Sequence, residues 1–254
     1  NISGIPVTIR LPRAGFDTRV VVKSNGCTDG VAIVYDRATE IPHLLRQYNW
    51  NNGNPLAGQY RTFNIRGLGH GTRMGERVGT SASGVAALFG ILRGAEINTP
   101  GMPIRHAFQV TVLAGRGGDK PQMLSRDVIL PATSRDGYCN TGGPNDNPSY
   151  CRGNIPYGSL WALPPNVNID ALGLSEPGKR LAEAIRDYGM YVVDTGEGMR
   201  TDQHVSAELQ RQLHADISKF YPHMRMVTNS AWTPGQAAVG GGTPLAPNCA
   251  FDAN

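Results

Sequence analysis

The chain has 254 residues and a formal net charge of +4. Its charge is dispersed: the 20 arginines and 4 lysines form no run of about five to eight basic residues, and no nucleic-acid-binding motif is present, so no nucleic-acid partner is expected. No apolar stretch reaches the roughly 20 residues of a membrane-spanning helix, so no membrane contact is expected either.

Composition favours a mainly β protein. The 32 glycines and 18 prolines exceed the average share of about 12%, and most periodic segments are short with turn signals between them. We therefore expect an antiparallel β-sandwich, jelly-roll-like, with two or three peripheral helices. Residues 1–254 are expected to form one domain, with a Gly/Pro-rich tail over about 233–254.

The four cysteines indicate whether the protein is in an oxidising or a reducing compartment. None forms a zinc-type Cys-x-x-Cys pair, and Cys139 and Cys151 flank a polar loop that could not order itself by burial. We expect a Cys139–Cys151 disulfide and a second one joining Cys27 to Cys249. Two disulfides and a start at Asn1 without a signal-peptide pattern indicate a mature secreted protein; the alternative is a cytosolic protein with four free thiols.

The first part of the chain predicts strands. Alternating residues favour strands over 5–12, 18–24 and 30–37, whereas Pro42 disfavours a continuous strand through 41–45. Residues 60–66 alternate again and would place Tyr60, Thr62, Asn64 and Arg66 on one polar face. The glycine-dense stretch at 67–75 has the wrong spacing for a phosphate loop and is expected to be a turn.

The middle of the chain contains the segment around which we expect the sheet to form. Residues 103–114 are predicted to be a long central strand with an apolar face and a polar face that includes Arg105 and Gln109. The apolar run at 80–93 is predicted to be a short buried helix. The polar loop over 132–159 carries oxygen donors at irregular spacing, so calcium is considered; otherwise no cofactor is expected.

Two helices have the clearest local signals. Residues 175–189 start with a serine cap, contain an apolar stripe and end at a glycine, and residues 206–220 repeat the stripe. The segment 190–195 between them is predicted to be a strand.

Carboxylates at strand ends suggest one chemistry. Glycoside hydrolysis needs two carboxyl groups across the scissile bond. Asp36 and Asp194 each end a predicted strand, and we expect both to enter one groove as the catalytic pair. The competing interpretation of each is a turn residue.

A polysaccharide lyase is the second possibility. It needs donors that neutralise a uronate carboxylate and a base that removes the α-proton, and His70 or Tyr60 could be that base. Trp50 could stack on a sugar ring. The competing interpretation of these polar residues is a solvated face. The donors expected to bind the substrate are Asn64, Arg66, Arg105 and Gln109.

Several of these segments, taken together, resemble a layout found in an uncharacterised family of secreted bacterial jelly-roll proteins, which are loosely similar to carbohydrate-active enzymes. The similar segments are Thr80-Ser-Ala-Ser-Gly to Ile104-Arg-His-Ala-Phe, Tyr157-Gly-Ser, Asp170 to Ser175, and Tyr188 to Asp194. The resemblance implies a jelly roll but no catalytic residue, and the Cys139–Cys151 loop departs from it.

The sequence therefore predicts a secreted enzyme that cleaves an extracellular polysaccharide, with a glycoside hydrolase slightly favoured over a lyase. The alternative from another class is a structural or adhesive protein that self-associates through its jelly-roll domain. The sequence gives no expectation for the oligomeric state.

Overall fold

The computed structural model of the protein describes residues 31–36, 40–47, 49–51, 54–56, 58–115, 121–202 and 204–227. The strands expected over 5–12 and 18–24, the Cys27–Cys249 disulfide and the tail over 233–254 lie outside these residues. Within them, no helix has both the length and the apolar character needed to cross a membrane.

The described residues form twelve strands and three α-helices. The strands are β1 (Val31–Asp36), β2 (Ile41–Arg46), β3 (Asn49–Asn51), β4 (Asn54–Leu56), β5 (Gln59–Thr62), β6 (Phe108–Val112), β7 (Leu124–Val128), β8 (Ile155–Tyr157), β9 (Leu160–Ala162), β10 (Met190–Thr195), β11 (Gly198–Met199) and β12 (Arg225–Met226). The helices are α1 (Gly94–Ile97), α2 (Glu176–Tyr188) and α3 (Ala207–Phe220).

A three-stranded antiparallel sheet has the order β1-β2-β5, so β2 lies in its middle. The prediction that Pro42 interrupts this strand is wrong. Pro42 pairs with Tyr35 of β1, but the pairing of β2 with β5 begins only at His43. The missing N–H of the proline therefore interrupts no ladder bond with β5, which is how proline is tolerated in a sheet.

A five-stranded sheet has the order β11-β6-β10-β9-β12 and is mixed, because β6 and β10 run parallel. The parallel pairing of β6 with β10 needs a long connection, and the chain between them includes β7, β8, β9 and α2. Two small sheets, β3-β4 and β7-β8, complete the described part, and the second is also parallel. The described part of the chain is thus sheet-rich with three helices, and its sheets are antiparallel, parallel or mixed.

The predicted central strand over 103–114 is shorter than expected and is not the middle strand, a position that β10 occupies. Gln109, which belongs to the predicted polar face of this strand, is covered. Gln109 is only 2% exposed, and its Nε2 donates to the carbonyl of Ala86 at 2.8 Å. The contact is close, since a side chain at Gly90 would collide with Gln109.

The segment predicted to be a buried helix, 80–93, is buried but mostly non-helical, with a 3-10 turn at Ala87–Gly90. Its backbone hydrogen bonds are not those of a helix. The N–H of Ser83 donates to the carbonyl of Val193 in β10 at 2.9 Å, and Gly84 has a φ of +81°, which helix geometry excludes. Residues 86–91 also pack on β1 and β2, so this segment contacts both sheets.

Helices α2 and α3 confirm their predictions. The hydroxyl of Ser175 accepts from the N–H of Gly178 at 3.1 Å, and that of Ser206 accepts from the N–H of Leu209 at 3.1 Å. Each such cap is typically worth about 1 kcal/mol. The apolar stripes of both helices pack on the five-stranded sheet, with these residues in the core: Leu181, Ala184, Ile185, Leu213 and Phe220.

One buried carboxylate joins the two helices. Asp216 of α3 accepts from the N–H of Ser175 at 3.2 Å and also from its hydroxyl. Lys219 lies 3.5 Å from the same carboxylate. Asp216 therefore holds the start of α2 against α3, where a negative charge suits the helix dipole.

Candidate active site

The candidate site forms where β10 ends. Asp194 and Thr195 are its last two residues, and Gly196 and Gly198 follow with φ values of +140° and +131°, which only glycine adopts easily. This tight turn returns the chain as β11, antiparallel to β6. The reversal brings Arg200 back beside Asp194.

Three donors surround the carboxylate of Asp194. Its Oδ2 accepts from the N–H of Ala82 at 3.1 Å and from Nη2 of Arg200 at 3.1 Å. Its Oδ1 accepts from the N–H of Thr195 at 3.0 Å. One of these donors, Ala82, is 112 positions away in sequence, so a long-range contact helps to fix the orientation of this carboxyl group.

A second carboxylate lies on the other side of Thr195. The Thr195 hydroxyl donates to Oδ2 of Asp136 at 3.1 Å and accepts from the hydroxyl of Tyr138 at 2.6 Å. Because Thr195 also donates its N–H to Asp194, this one residue is hydrogen-bonded to both carboxyl groups. The two hydrogen bonds link the orientation of one carboxyl group to that of the other.

Burial raises the pKa of Asp194 to about 6, and the negative charge of Asp136 acts in the same direction. The positive charge of Arg200 and the two backbone N–H donors oppose this shift without cancelling it. The buried phenol of Tyr157, close to Asp136, has its pKa raised by the same two causes, burial first. Asp194 can therefore hold or release a proton near neutral pH, as a general acid or base must.

A cleft of about 460 Å³ opens beside Asp136. Its walls are rich in tyrosine and asparagine, side chains that stack on sugar rings and hydrogen-bond sugar hydroxyls. Most of the wall lies in or beside the 139–151 loop. The lining residues are Asp136, Gly137, Tyr138, Asn145, Asn147 and Tyr150.

The predicted Cys139–Cys151 disulfide is present, with its Cα atoms 5.7 Å apart. Both cysteines are buried, and Cys139 lies 3.5 Å from the hydroxyl of Tyr157. Arg126 holds the loop from outside, donating to the carbonyl of Asn147 at 2.7 Å and pairing with Asp146 at 3.0 Å. The loop wall of the cleft is thus anchored at both ends and in its middle.

The oxygen donors that suggested a calcium site lie in and beside this loop. Asp136, Asn145 and Asn147 line the cleft, whereas Asp146 is engaged by Arg126 and by the N–H of Gly142. In the ranges that the structure covers, no group of three or more His, Cys, Asp or Glu side chains is placed to hold a metal ion.

The expected pair of Asp36 and Asp194 is divided between two sheets. Asp36 ends β1 in the three-stranded sheet, and Asp194 lies near the end of β10 in the five-stranded sheet. The partner that the structure brings to Asp194 is Asp136. Trp50 lies in β3, which pairs only with β4 among the described strands.

The residues proposed for a lyase have separate partners. The Tyr60 hydroxyl is 2.8 Å from Nδ1 of His43, and burial raises the pKa of Tyr60, which lowers the fraction of the phenolate that would act as the base at neutral pH. His70 contacts the carbonyl of Gly71 at 2.7 Å. The structure does not join these two candidate bases.

The expected uronate donors also lie apart. Arg66 and Asn64 are exposed, and Arg66 pairs with Glu40 at 2.7 Å. Arg105 is exposed, while Gln109 is buried under the 80–93 segment. Asn64, Arg66 and Arg105 lie outside the strands of the structure, and alternation could not show that another segment covers Gln109.

Sequence reasoning missed most of the site. Asp136 was considered only as an oxygen donor, and Thr195, Tyr138 and Arg200 were not considered as site residues. The signal that could have found Arg200 is the Thr195-Gly-Glu-Gly198 run directly after a strand that carries an aspartate, since such glycines mark a chain reversal.

Comparisons with protein-family models, with curated proteins and with solved structures found no match to this chain. The resemblance to secreted jelly-roll proteins therefore stays an expectation from the sequence.

Proposed function

We propose that the protein is a secreted glycoside hydrolase that cleaves an extracellular polysaccharide in the cleft beside Asp136. The observation that carries the proposal is the pair of carboxyl groups: Asp136 lines this cleft, and Thr195 bridges it to Asp194. The antiparallel jelly-roll sandwich predicted from the sequence belongs to the same proposal.

Asp194 is assigned the role of general acid. Its raised pKa lets it carry a proton near neutral pH, and that proton passes to the glycosidic oxygen as the bond to the anomeric carbon breaks. The bonding electrons leave with that oxygen, which becomes a hydroxyl of the departing sugar. Arg200 then stabilises the carboxylate that remains.

Asp136 is assigned the role of general base. It removes a proton from a water molecule as the water oxygen attacks the anomeric carbon from the opposite face. Because Thr195 lies between the carboxyl groups, we expect the wide spacing of an inverting enzyme. Tyr138 and Tyr150, whose rings meet edge to face with centroids 5.5 Å apart, would form the wall on which a sugar ring stacks.

The hydrolase is preferred over the lyase because of these placements. The two candidate lyase bases have separate partners, and the expected uronate donors are either exposed or covered. A lyase base for a sugar carbon needs a neutralised uronate beside it, and the predicted residues do not supply that arrangement in the described part of the chain.

The test is incubation of the protein with a panel of neutral and acidic polysaccharides. We expect release of reducing ends without the ultraviolet absorbance of unsaturated products, and loss of that release in Asp194→Asn. Unsaturated products would establish the lyase instead. No product with any polymer, together with oligomers by light scattering, would establish the structural alternative.

A further inference from the structure

Arginine side chains converge on the three-stranded sheet next to the candidate active site. Arg46 ends β2 opposite Gln59, and Arg61 of β5 lies opposite Leu44. Residues paired in this way share one face of the sheet. Because Leu44 is fully buried against residues 86–91, Arg46 and Arg61 are on the face that turns toward that segment.

A third arginine connects this face to the carboxylates. Nη1 of Arg61 donates to the carbonyl of Arg77 at 3.2 Å. Nη2 of Arg77 donates to the carbonyls of Ser81 and Ala82 at 3.1 Å and 2.9 Å. The N–H of Ala82 in turn binds Asp194, so one short stretch of backbone lies between the Arg77 guanidinium and the proposed general acid.

The Arg77 guanidinium lies among charges of both signs. Partial burial and the positive charge of Arg61 lower the pKa of Arg77, while Asp136 and Asp194 raise it and Arg46 lowers it further. These interactions place three guanidiniums beside two carboxylates, and one of those carboxylates is already paired with Arg200. Arg61 and Arg77 carry like charges and are held close together by the hydrogen bond from Arg61 to the Arg77 carbonyl, and an additional anion stabilises such a pair.

We propose that Arg61 and Arg77, with Arg46 beside them, bind the anionic group of an acidic glycan next to the Asp136–Asp194 pair. The group is a carboxylate or a sulfate, which guanidinium N–H donors bind in the same way. This inference rests on the proposed hydrolase and narrows its substrate to an acidic polysaccharide. The predicted donors Asn64, Arg66, Arg105 and Gln109 have no part in this set.

The experiment is affinity electrophoresis through gels that contain polygalacturonate, dextran sulfate or dextran. The first two polymers distinguish a carboxylate from a sulfate, and dextran is the uncharged comparator. The variant is Arg61→Gln. Its matched control is Arg211→Gln, which removes the same charge from an exposed position on α3.

We expect one acidic polymer to retard the wild type, and Arg61→Gln to weaken that binding about tenfold, as loss of a charge-assisted hydrogen bond predicts. Arg211→Gln should stay within about twofold of the wild type. If Arg61→Gln does not fold, Arg61→Lys keeps the charge, and weaker binding by this variant supports the proposal in the same way.

Other results would overturn the inference. Equal weakening by Arg61→Gln and Arg211→Gln would show a general charge effect. Binding and hydrolysis of dextran, unchanged in Arg61→Gln, would remove the acidic substrate and leave the proposed hydrolase intact. Conversely, Arg61-dependent binding of an acidic polymer without release of reducing ends would keep the anion site and remove the hydrolase.

Discussion

Asp194 and Asp216 are both aspartates with little exposure, yet their surroundings differ. The side chain of Asp216 is 3% exposed, binds the first residues of α2, and has Lys219 beside it. The side chain of Asp194 is 23% exposed and is near a second carboxylate, Asp136, which lines a cleft. Burial therefore does not identify an active carboxyl group. A nearby like charge and a path to solvent are the features that separate the two.

The largest expected difference between them is in activity. Asp194→Asn keeps the shape of the side chain but cannot donate the required proton, so we expect the rate of polysaccharide hydrolysis to fall about 10²- to 10⁴-fold. Asp216→Asn is the matched control and should leave the rate per folded molecule unchanged. Equal rate losses in both variants would contradict the assignment.

Removal of the Cys139–Cys151 disulfide tests the role of the loop that lines the cleft beside Asp136. Replacing Cys139 and Cys151 together by serine opens a loop whose ends are 12 residues apart, and we expect the free energy of unfolding to fall by about 3 kcal/mol. Because the loop lines the cleft, the Michaelis constant should rise as well. An unchanged Michaelis constant in the folded variant would show that the loop does not bind substrate.

The helix side is tested by Asp216→Ala. This change leaves the partly buried N–H of Ser175 without its acceptor and removes charge from the start of α2. We expect a loss of about 2 to 3 kcal/mol in unfolding free energy, measured by urea denaturation. A loss well under 1 kcal/mol would mean that Asp216 does not organise the helix pair.

The pH dependence of stability sharpens the comparison further. The pKa of Asp194 is about 6 against an ordinary value of 3.8, so the folded chain binds this proton more tightly than the unfolded chain does. Its favourable contribution is complete below about pH 3.8 and is lost as the pH rises through about 6. After allowance for its residual exposure, we expect about 1 to 2 kcal/mol between pH 4 and pH 7, which Asp194→Asn removes. Parallel pH curves for the two proteins would contradict the raised pKa.

The smallest effect is expected at Arg66. Its ion pair with Glu40 is exposed, with 75% of the Arg66 side chain accessible, so Arg66→Gln should change neither the melting temperature nor the activity measurably. A clear loss of substrate binding in Arg66→Gln would show that the polar residues of 60–66 contact the substrate.

Local signals predicted the elements that depend on local chemistry. Helix α2 is defined by local signals: a cap at Ser175, an apolar stripe that includes Leu181 and a stop at Gly189. The structure contains the helix with these same limits. The prediction of a helix over 80–93 was wrong, because the apolar side chains of this segment are buried while some of its backbone groups bond to distant residues, as the N–H of Ser83 does to β10. Composition alone cannot separate these two cases.

Of the two carboxylates of the candidate site, the sequence pattern indicated Asp194 but did not indicate its pairing with Asp136, because that pairing is also a long-range contact. Asp194 was found because it follows an alternating strand. Asp136 could not be paired with it, because Thr195 bridges two residues 58 positions apart whose contact depends on the parallel sheet and on the loop fold. Asp36 satisfied the same local pattern as Asp194, and only the assignment of strands to sheets separates them.

The closed loop over 139–151 also has a consequence for engineering. Its two cysteines are anchored in the interior, while most of its other residues face the cleft or solvent. New sequences could therefore be grafted between the two anchors without rebuilding the scaffold. Libraries confined to this insert should change ligand preference while the folding yield stays constant.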